Sequence, residues 1–458
     1  MHRSTTIFAA VALVLSIAGT TTPQSSSDAH VVLISLDGFA ASRLEDDGLE
    51  LPNLRAVARS GAWAKSSETV FPSTDDPAHT SILTGVPPRL HGVIENRMRN
   101  RDTGEYFRVT NKPRAESVKV PTIFDAAKSK GYRTASLFWP ESRDDEALDY
   151  NIPFVVTGDA KADPSATDPA FLAELRENDV PIDLFFTWQN DLPLQVTADR
   201  ILTRAAVHLI ETYKPQLLAI RLPAMDRYQH EYGPNHYLAK AAFTAADYNV
   251  GLIRRAVERA GIADQTTYFV VSDHGFHTIE HAVNIYPLFA RAGLLEEVNL
   301  HSYYLSVVVE LNESFDPQKH LKTLDRVFAQ ALALEGISRV IRPYEFPQMG
   351  LPTYEEDPHV LGHYIIMGES DTRTILDEDS DSTRRTVLSA PIHVHGYLPD
   401  DDHIDPIFLM SGNGIRSGVR LDRVHNFDIA PTIAYLLDLE MGDYLSGRIL
   451  TEALTDPP

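Results

Sequence analysis

His30–Leu36, HVVLISL, is a nearly unbroken apolar run rich in branched side chains, the pattern of a strand covered on both faces of a parallel sheet. Runs of the same kind recur at 133–138, 216–222, 267–272 and 406–410. Between them the apolar positions change to helical spacing, which predicts helices over 53–60, closed by Gly61, and over 237–260, closed by Gly261. Strands alternating with helices predict an α/β fold, a doubly wound and mostly parallel sheet with helices on both faces. Three stretches depart from this rhythm. Residues 100–120 are polar, 144–193 are acidic and rich in proline, and 298–390 contain strand-like runs such as 303–311. The last reads as an inserted cap, which leaves 30–297 and 391–458 as the core; within it 369–385, ESDTRTILDEDSDSTRR, reads as a charged surface loop.

Residues 71–96, FPSTDDPAHTSILTGVPPRLHGVIEN, carry a helix-start signal. Asp76 is a good N-cap, Pro77 suits the first helical position, and the helix runs through His79 to Thr84 until Gly85 stops it. The free N–H groups and positive dipole end at that start suit a phosphate oxygen held near Thr74, Asp75 and Asp76.

Composition narrows the classes. The 458 residues are 43% hydrophobic and 23% charged, ordinary globular usage that fits one large α/β domain with insertions better than three independent domains. Lys plus Arg number 41 against 64 Asp plus Glu, a formal charge of -23 that argues against a nucleic-acid polymer or an anionic membrane surface as partner. An anionic substrate then needs local positive charge, which a bound metal supplies. Residues 1–29, with Arg3 before a mostly apolar run at 7–18, read as a secretory signal peptide too short to span a bilayer, and no later stretch is apolar for long enough to do so. A secreted or periplasmic protein is expected. The chain has no cysteine, so its stability comes from packing and metals rather than disulfides.

Ligands gather at the carboxyl ends of strands in such sheets, and there the sequence puts Asp37, Asp226 and Asp273. Asp226 and His230 stand one helical turn apart in MDRYQHEYGP; His274 follows Asp273 in SDHGF; His393 and His395 alternate before Gly396. Three Asp and at least three His make a mixed nitrogen and oxygen set suited to two ions of zinc or another divalent metal.

The motifs ISLDGF, FPSxxxPAHTSILTGVPPRLHGVIEN, LFWPES, MDxxxHEYGP, VVSDHGF, HGYLPD and HNFDIAPTIAYLLDL resemble, in order and spacing, the nucleotide pyrophosphatase/phosphodiesterase family of the alkaline phosphatase superfamily. The resemblance runs from about residue 30 to 450 and is loosest at 143–200 and 298–390. It implies an alkaline phosphatase-like core. It also implies that Asp226, His230 and His395 bind one zinc, that Asp37, Asp273 and His274 bind the other, and that Asn96 matches the family's oxyanion-stabilising asparagine. His393, His277 and His281 match no role in the family.

One departure matters. The family's loop carries a nucleophilic threonine where the gapless register of this chain has Asp75, with Thr74 one residue early. Three readings stay open: Thr74 reaches the metals through a shifted loop; Asp75 coordinates the metals and either attacks phosphorus or orients a metal-bound hydroxide; or metal binding persists without turnover. The expected function is a two-metal phosphoric ester hydrolase acting on a nucleotide or another phosphodiester. A phosphomonoesterase, with Arg97, Arg99 and Lys112 near in sequence, and a metal-binding protein without catalysis are the alternatives. A sulfatase is disfavoured because no C/S-x-P-x-R loop occurs.

Overall fold

The computed structural model describes residues 28–156, 162–399, 401 and 403–458; the expected signal peptide lies outside them except for its last two residues. Eight strands form the main sheet: β1 (His30–Leu36), β2 (Ala62–Glu68), β3 (Thr134–Leu137), β4 (Tyr150–Ile152), β5 (Leu217–Leu222), β6 (Thr266–Val271), β7 (Phe408–Gly412) and β8 (Val419–His425). Their order is β8-β2-β7-β6-β1-β5-β3-β4. β7 alone runs antiparallel, against both β2 and β6. It starts two residues later than its apolar run suggests, because Pro406 and Ile407 pair with Ala40 and Phe39 beyond the end of β1.

The period of two in the strands splits the core. Val32, Ile34 and Leu36 of β1 face one apolar cluster, with helices Pro52–Ser60, Leu192–Tyr213 and Tyr237–Arg259. Val31 and Leu33 face a second, with helices Ile123–Ser129 and Ile429–Leu436. The doubly wound, mostly parallel α/β architecture is therefore present. β2, β4 and β8 have no counterpart in the sequence reading. β2 and β8 lie toward one end of the sheet with exposed or half-exposed side chains, so AWAKSSE and VRLDRVH never form apolar runs, and β4 has only three residues.

Residues 298–390 build a four-stranded antiparallel sheet, in the order Val298–Tyr303, Ser306–Leu311, Tyr364–Gly368, Ile337–Ile341. Helix Pro317–Leu332 covers one face. The other face packs Val308, Ile341 and Ile365 against Phe71, Tyr397 and Leu398 of the core. A smaller sheet joins His277–Asn284 to Thr372–Ile375 and Thr386–Val394, and so crosses both boundaries expected for the cap. No helix among the described residues is long and apolar enough to cross a membrane.

Candidate metal centre

The three strand-end aspartates meet because β5, β1 and β6 are parallel neighbours, with Ser35 opposite both Arg221 and Val271. Asp37 ends β1, Asp273 follows β6, and Asp226 sits in helix Ala224–Tyr232 after β5. MDRYQHEY is therefore fully helical, although its composition left that in doubt. His395 lies on the segment leading into β7, whose reversed direction brings that segment to the same edge.

All six expected ligands converge. Asp226 Oδ1 lies 3.4 Å from His230 Nε2 and 3.7 Å from His395 Nε2. His274 Nε2 lies 3.2 Å from Asp273 Oδ2 and 3.7 Å from Asp37 Oδ1. Asp75 joins both sets: ligand atoms of Asp75, Asp226, His274 and His395, and of Asp37, Asp75, Asp273 and His274, fall within 4.8 Å of one another. The sequence reading already allowed Asp75 to touch the metals, as attacker or as the group orienting a hydroxide, but left it out of both ligand sets. Here it is shared between two candidate ion positions.

Two features fit these residues to divalent ions. Each imidazole has its Nδ1 on a backbone carbonyl: His230 on His393 at 2.8 Å, His274 on Gly275 at 3.0 Å, His395 on Ser73 at 3.0 Å. That turns each Nε2 toward the cluster, where the neutral ring offers its lone pair, the tautomer a metal needs. In addition, Asp37 Oδ1, Asp226 Oδ1 and Asp273 Oδ2 are buried without a hydrogen-bond partner. A buried carboxylate oxygen without a donor is costly, and a cation relieves the cost.

The charge balance points the same way. Burial, against the pull of Arg221, pushes the Asp37 carboxyl well above the ordinary range, and burial raises Asp226 too. Among the described residues, Arg221 is the permanent cation buried against the cluster: its Nε donates to Asp37 Oδ2 at 2.7 Å and its Nη2 is 3.4 Å from Asp75 Oδ1. Burial would raise Asp75 as well, but Arg221 and the hydrogen bond from His274 carry it well below the usual carboxylate range. His274, despite burial, is raised to about 9 by Asp273 and Asp75. Its ring stacks on that of His395 at 3.6 Å, and burial together with His274 holds His395 well below its ordinary value.

The reactive loop departs from expectation at the helix start. Helix Asp75–Thr84 begins at Asp75, with Thr74 at the N-cap position and no side-chain cap, so Asp76 is not the cap. Gly85, with φ of 72°, does end it. The N–H of Asp76 is not free for a phosphate, since it donates to Asn96 Oδ1 at 2.8 Å, while Asn96 Nδ2 donates to Asp75 Oδ2 at 2.8 Å. Asn96 thus clamps Asp75 from the side. Thr74 is fully buried and its hydroxyl donates to Glu95 Oε1 at 3.2 Å.

Glu95 was not foreseen, because its meaning depends on Tyr303 of the insertion, whose hydroxyl donates to it. Burial pushes the Glu95 carboxyl from 4.5 up to about 7, against hydrogen bonds from Tyr303 and the Asn96 N–H. The folded chain thus holds this proton more tightly than the unfolded chain, so the stabilisation is complete below pH 4.5 and is lost as pH rises to about 7. Relative to the parent, Glu95→Gln, which has no proton to lose, is expected to gain stability across that window by at most about 3 kcal/mol. Denaturant unfolding of metal-free protein measures the gain, and parallel stability curves would refute it.

A cleft of about 340 Å³ opens over the cluster, lined by Asp75, Asn96, Asp226 and His395 together with Arg97, Arg108, Arg221 and Arg227. Arg97 and Arg108 are direct cross-strand partners in the hairpin of Arg97–Arg99 with Tyr106–Arg108, an arrangement that costs stability unless an anion lies between or near them. Among the described residues, Arg97, Arg108 and Arg227 make no ion pair. Arg99 and Lys112 do not line this cleft. Arg221 was also missed; the available signal was a lone arginine inside the apolar run LLAIRL. His393 supplies its carbonyl to His230, while His277 and His281 lie outside the cluster.

Comparison with known proteins places the chain in a family. The type I phosphodiesterase / nucleotide pyrophosphatase family profile matches residues 31–345. Human ectonucleotide pyrophosphatase/phosphodiesterase family member 1 is 22% identical over 418 residues, covering 89% of this chain and 40% of that protein. The bis(5'-adenosyl)-triphosphatase enpp4 of Xenopus laevis is 21% identical over 426 residues, 91% of this chain and 79% of that one. This chain thus spans well under half the length of the human relative. Among solved structures, human ectonucleotide pyrophosphatase/phosphodiesterase 5 superposes with a TM-score of 0.67 at 15% identity, covering 93% of this chain and 100% of that one. The murine counterpart gives 0.64 at 16%, with 90% and 96% covered. At such identities the superpositions establish the alkaline phosphatase-like fold.

Proposed function

This chain belongs to the type I phosphodiesterase / nucleotide pyrophosphatase family, and on that premise we propose that it is a secreted hydrolase of phosphoric diesters or nucleotide pyrophosphates that works with two zinc ions. One observation carries the reading: five of the six expected ligands, from separate parts of the chain, fall into two groups that share Asp75, His230 lies 3.4 Å from Asp226, and three carboxylate oxygens are orphaned. Asp226, His230 and His395 would hold one ion, and Asp37, Asp273 and His274 the other. Bound there, the ions would draw charge from the phosphoryl group and steady the departing oxygen. The mixed donor set favours zinc. Secretion rests on the apolar run at 7–18.

Asp75 is the attacking group in this reading. Its depressed pKa makes it a weak base but keeps it ionised, which suits a carboxylate nucleophile. An Asp75 oxygen bonds to phosphorus while the ester oxygen leaves with the bonding pair and takes a proton from solvent. Water then attacks the acyl phosphate at phosphorus and gives its proton to solvent, and the Asp75 carboxylate leaves with the bonding pair. Asn96 holds the second Asp75 oxygen and aims the first, and its amide lies beside the position where phosphoryl charge develops. Thr74 would have to leave Glu95 and rotate to do the same work.

The arginines of the cleft favour a second reading, a phosphomonoesterase, because a monoester carries extra charge for them to meet. Purified protein with added zinc, assayed on bis(p-nitrophenyl) phosphate and on p-nitrophenyl phosphate, decides between them. Diester turnover above monoester turnover is expected. Arg108→Ala and Arg227→Ala are expected to leave diester kcat/KM within about threefold, whereas in a monoesterase each would raise the monoester KM about tenfold. No turnover on either ester would leave only the metal-binding reading.

A further inference from the structure

Outside the catalytic cluster, His277, Asp401 and His403 come together at the far side of Phe276, and their ligand atoms lie within 4.8 Å of one another. His277 is 4% exposed and its Nε2 is buried with no hydrogen-bond partner, 3.7 Å from Asp401 Oδ1. A buried ring nitrogen left unpartnered beside a carboxylate needs an explanation, and a cation between them is one. His403 Nδ1 lies 3.0 Å from the same Asp401 oxygen. Donors held about 2.0 to 2.1 Å from a tetrahedral ion stand roughly 3.3 Å apart, a value the two separations bracket.

The backbone is already fixed for such a site. Gly275 N–H donates to the Ile404 carbonyl at 2.7 Å, and Phe276 N–H donates to the His403 carbonyl at 3.1 Å. A Cβ on Gly275 would come within 2.0 Å of the His403 oxygen, so only glycine permits this approach. His277 pairs across the small sheet with Val394, one residue from His395, and lies three residues after His274.

We propose that His277, Asp401 and His403 form a third divalent-metal site, of zinc type, separate from the catalytic pair and structural in role. Two imidazoles and one carboxylate, with a water filling the fourth position, are donors that zinc takes. The ion would tie the turn carrying Asp273 and His274 to the segment carrying His395. It would serve in a cysteine-free chain as a cross-link between two loops that must keep register.

Full-length protein stripped with a chelator and dialysed against buffered zinc tests this by elemental analysis. His403→Ala, whose side chain is 75% exposed and whose loss leaves the core intact, is expected to hold one zinc equivalent fewer than the parent. Asp401→Asn and His277→Gln are expected to match it, so a folding defect in the buried variant leaves the outcome decidable. His395→Ala, at the other centre, should lose its own equivalent and still lose a further one when combined with His403→Ala. The zinc-induced rise in melting temperature is expected to shrink in His403→Ala. Identical zinc content in the parent, His403→Ala and Asp401→Asn would overturn the site.

Discussion

Asp75→Ala is expected to lower kcat for diester hydrolysis by on the order of 10³-fold or more, while Thr74→Ala stays within about tenfold of the parent. The difference follows from where the two side chains point. Asp75 Oδ1 is 3.2 Å from His274 Nε2 and belongs to both ligand sets, whereas the Thr74 hydroxyl donates to Glu95. Zinc content measured alongside separates loss of the attacker from loss of a ligand. Asp75→Thr, which restores the hydroxyl its relatives are expected to use, should recover part of the activity. If Asp75 attacks, borohydride trapping during turnover should reduce its acyl phosphate. Full activity in Asp75→Ala with an inactive Thr74→Ala would reverse the assignment.

Removing metal is the second large effect: chelation is expected to abolish hydrolysis and to lower the melting temperature, with zinc restoring both. Stripped of cations, the centre holds the buried carboxylates of Asp37, Asp226 and Asp273 against the permanent positive charge of Arg221. Ions that bind only the folded chain stabilise it by about 2.7 kcal/mol at a hundred times their dissociation constant. The melting temperature should therefore keep climbing with zinc beyond saturation. Zinc must also displace the proton that His274 holds up to about 9, so affinity should rise as pH approaches that value. Asp226→Asn should weaken both responses. A melting temperature indifferent to chelator and zinc would rule out the centre.

The sequence by itself determined the elements whose signals are local. Branched apolar runs marked β1, β5 and β6, since strands covered on both faces have no polar positions to blur the pattern. Each is followed closely by its aspartate, so Asp37, Asp226 and Asp273 were legible with their edge of the sheet, as was the turn-long spacing of Asp226 and His230. β2 and β8 were not, because half-exposed strands alternate polar and apolar residues too irregularly to be told from loop.

Only the tertiary structure decided which loop side chain meets the cluster. Thr74 and Asp75 are adjacent in sequence, and the choice depends on the phase at which helix Asp75–Thr84 starts and on Asn96, Glu95 and Tyr303 taking the remaining hydrogen bonds. Arg221 likewise reads as a flaw in an apolar strand. Pleating turns it toward the face where Asp75 lies, bringing together charges 146 residues apart along the chain. Spacing along a chain reports what lies on one face of an element; which faces then meet is set by how the sheet is wound, and no local pattern encodes it.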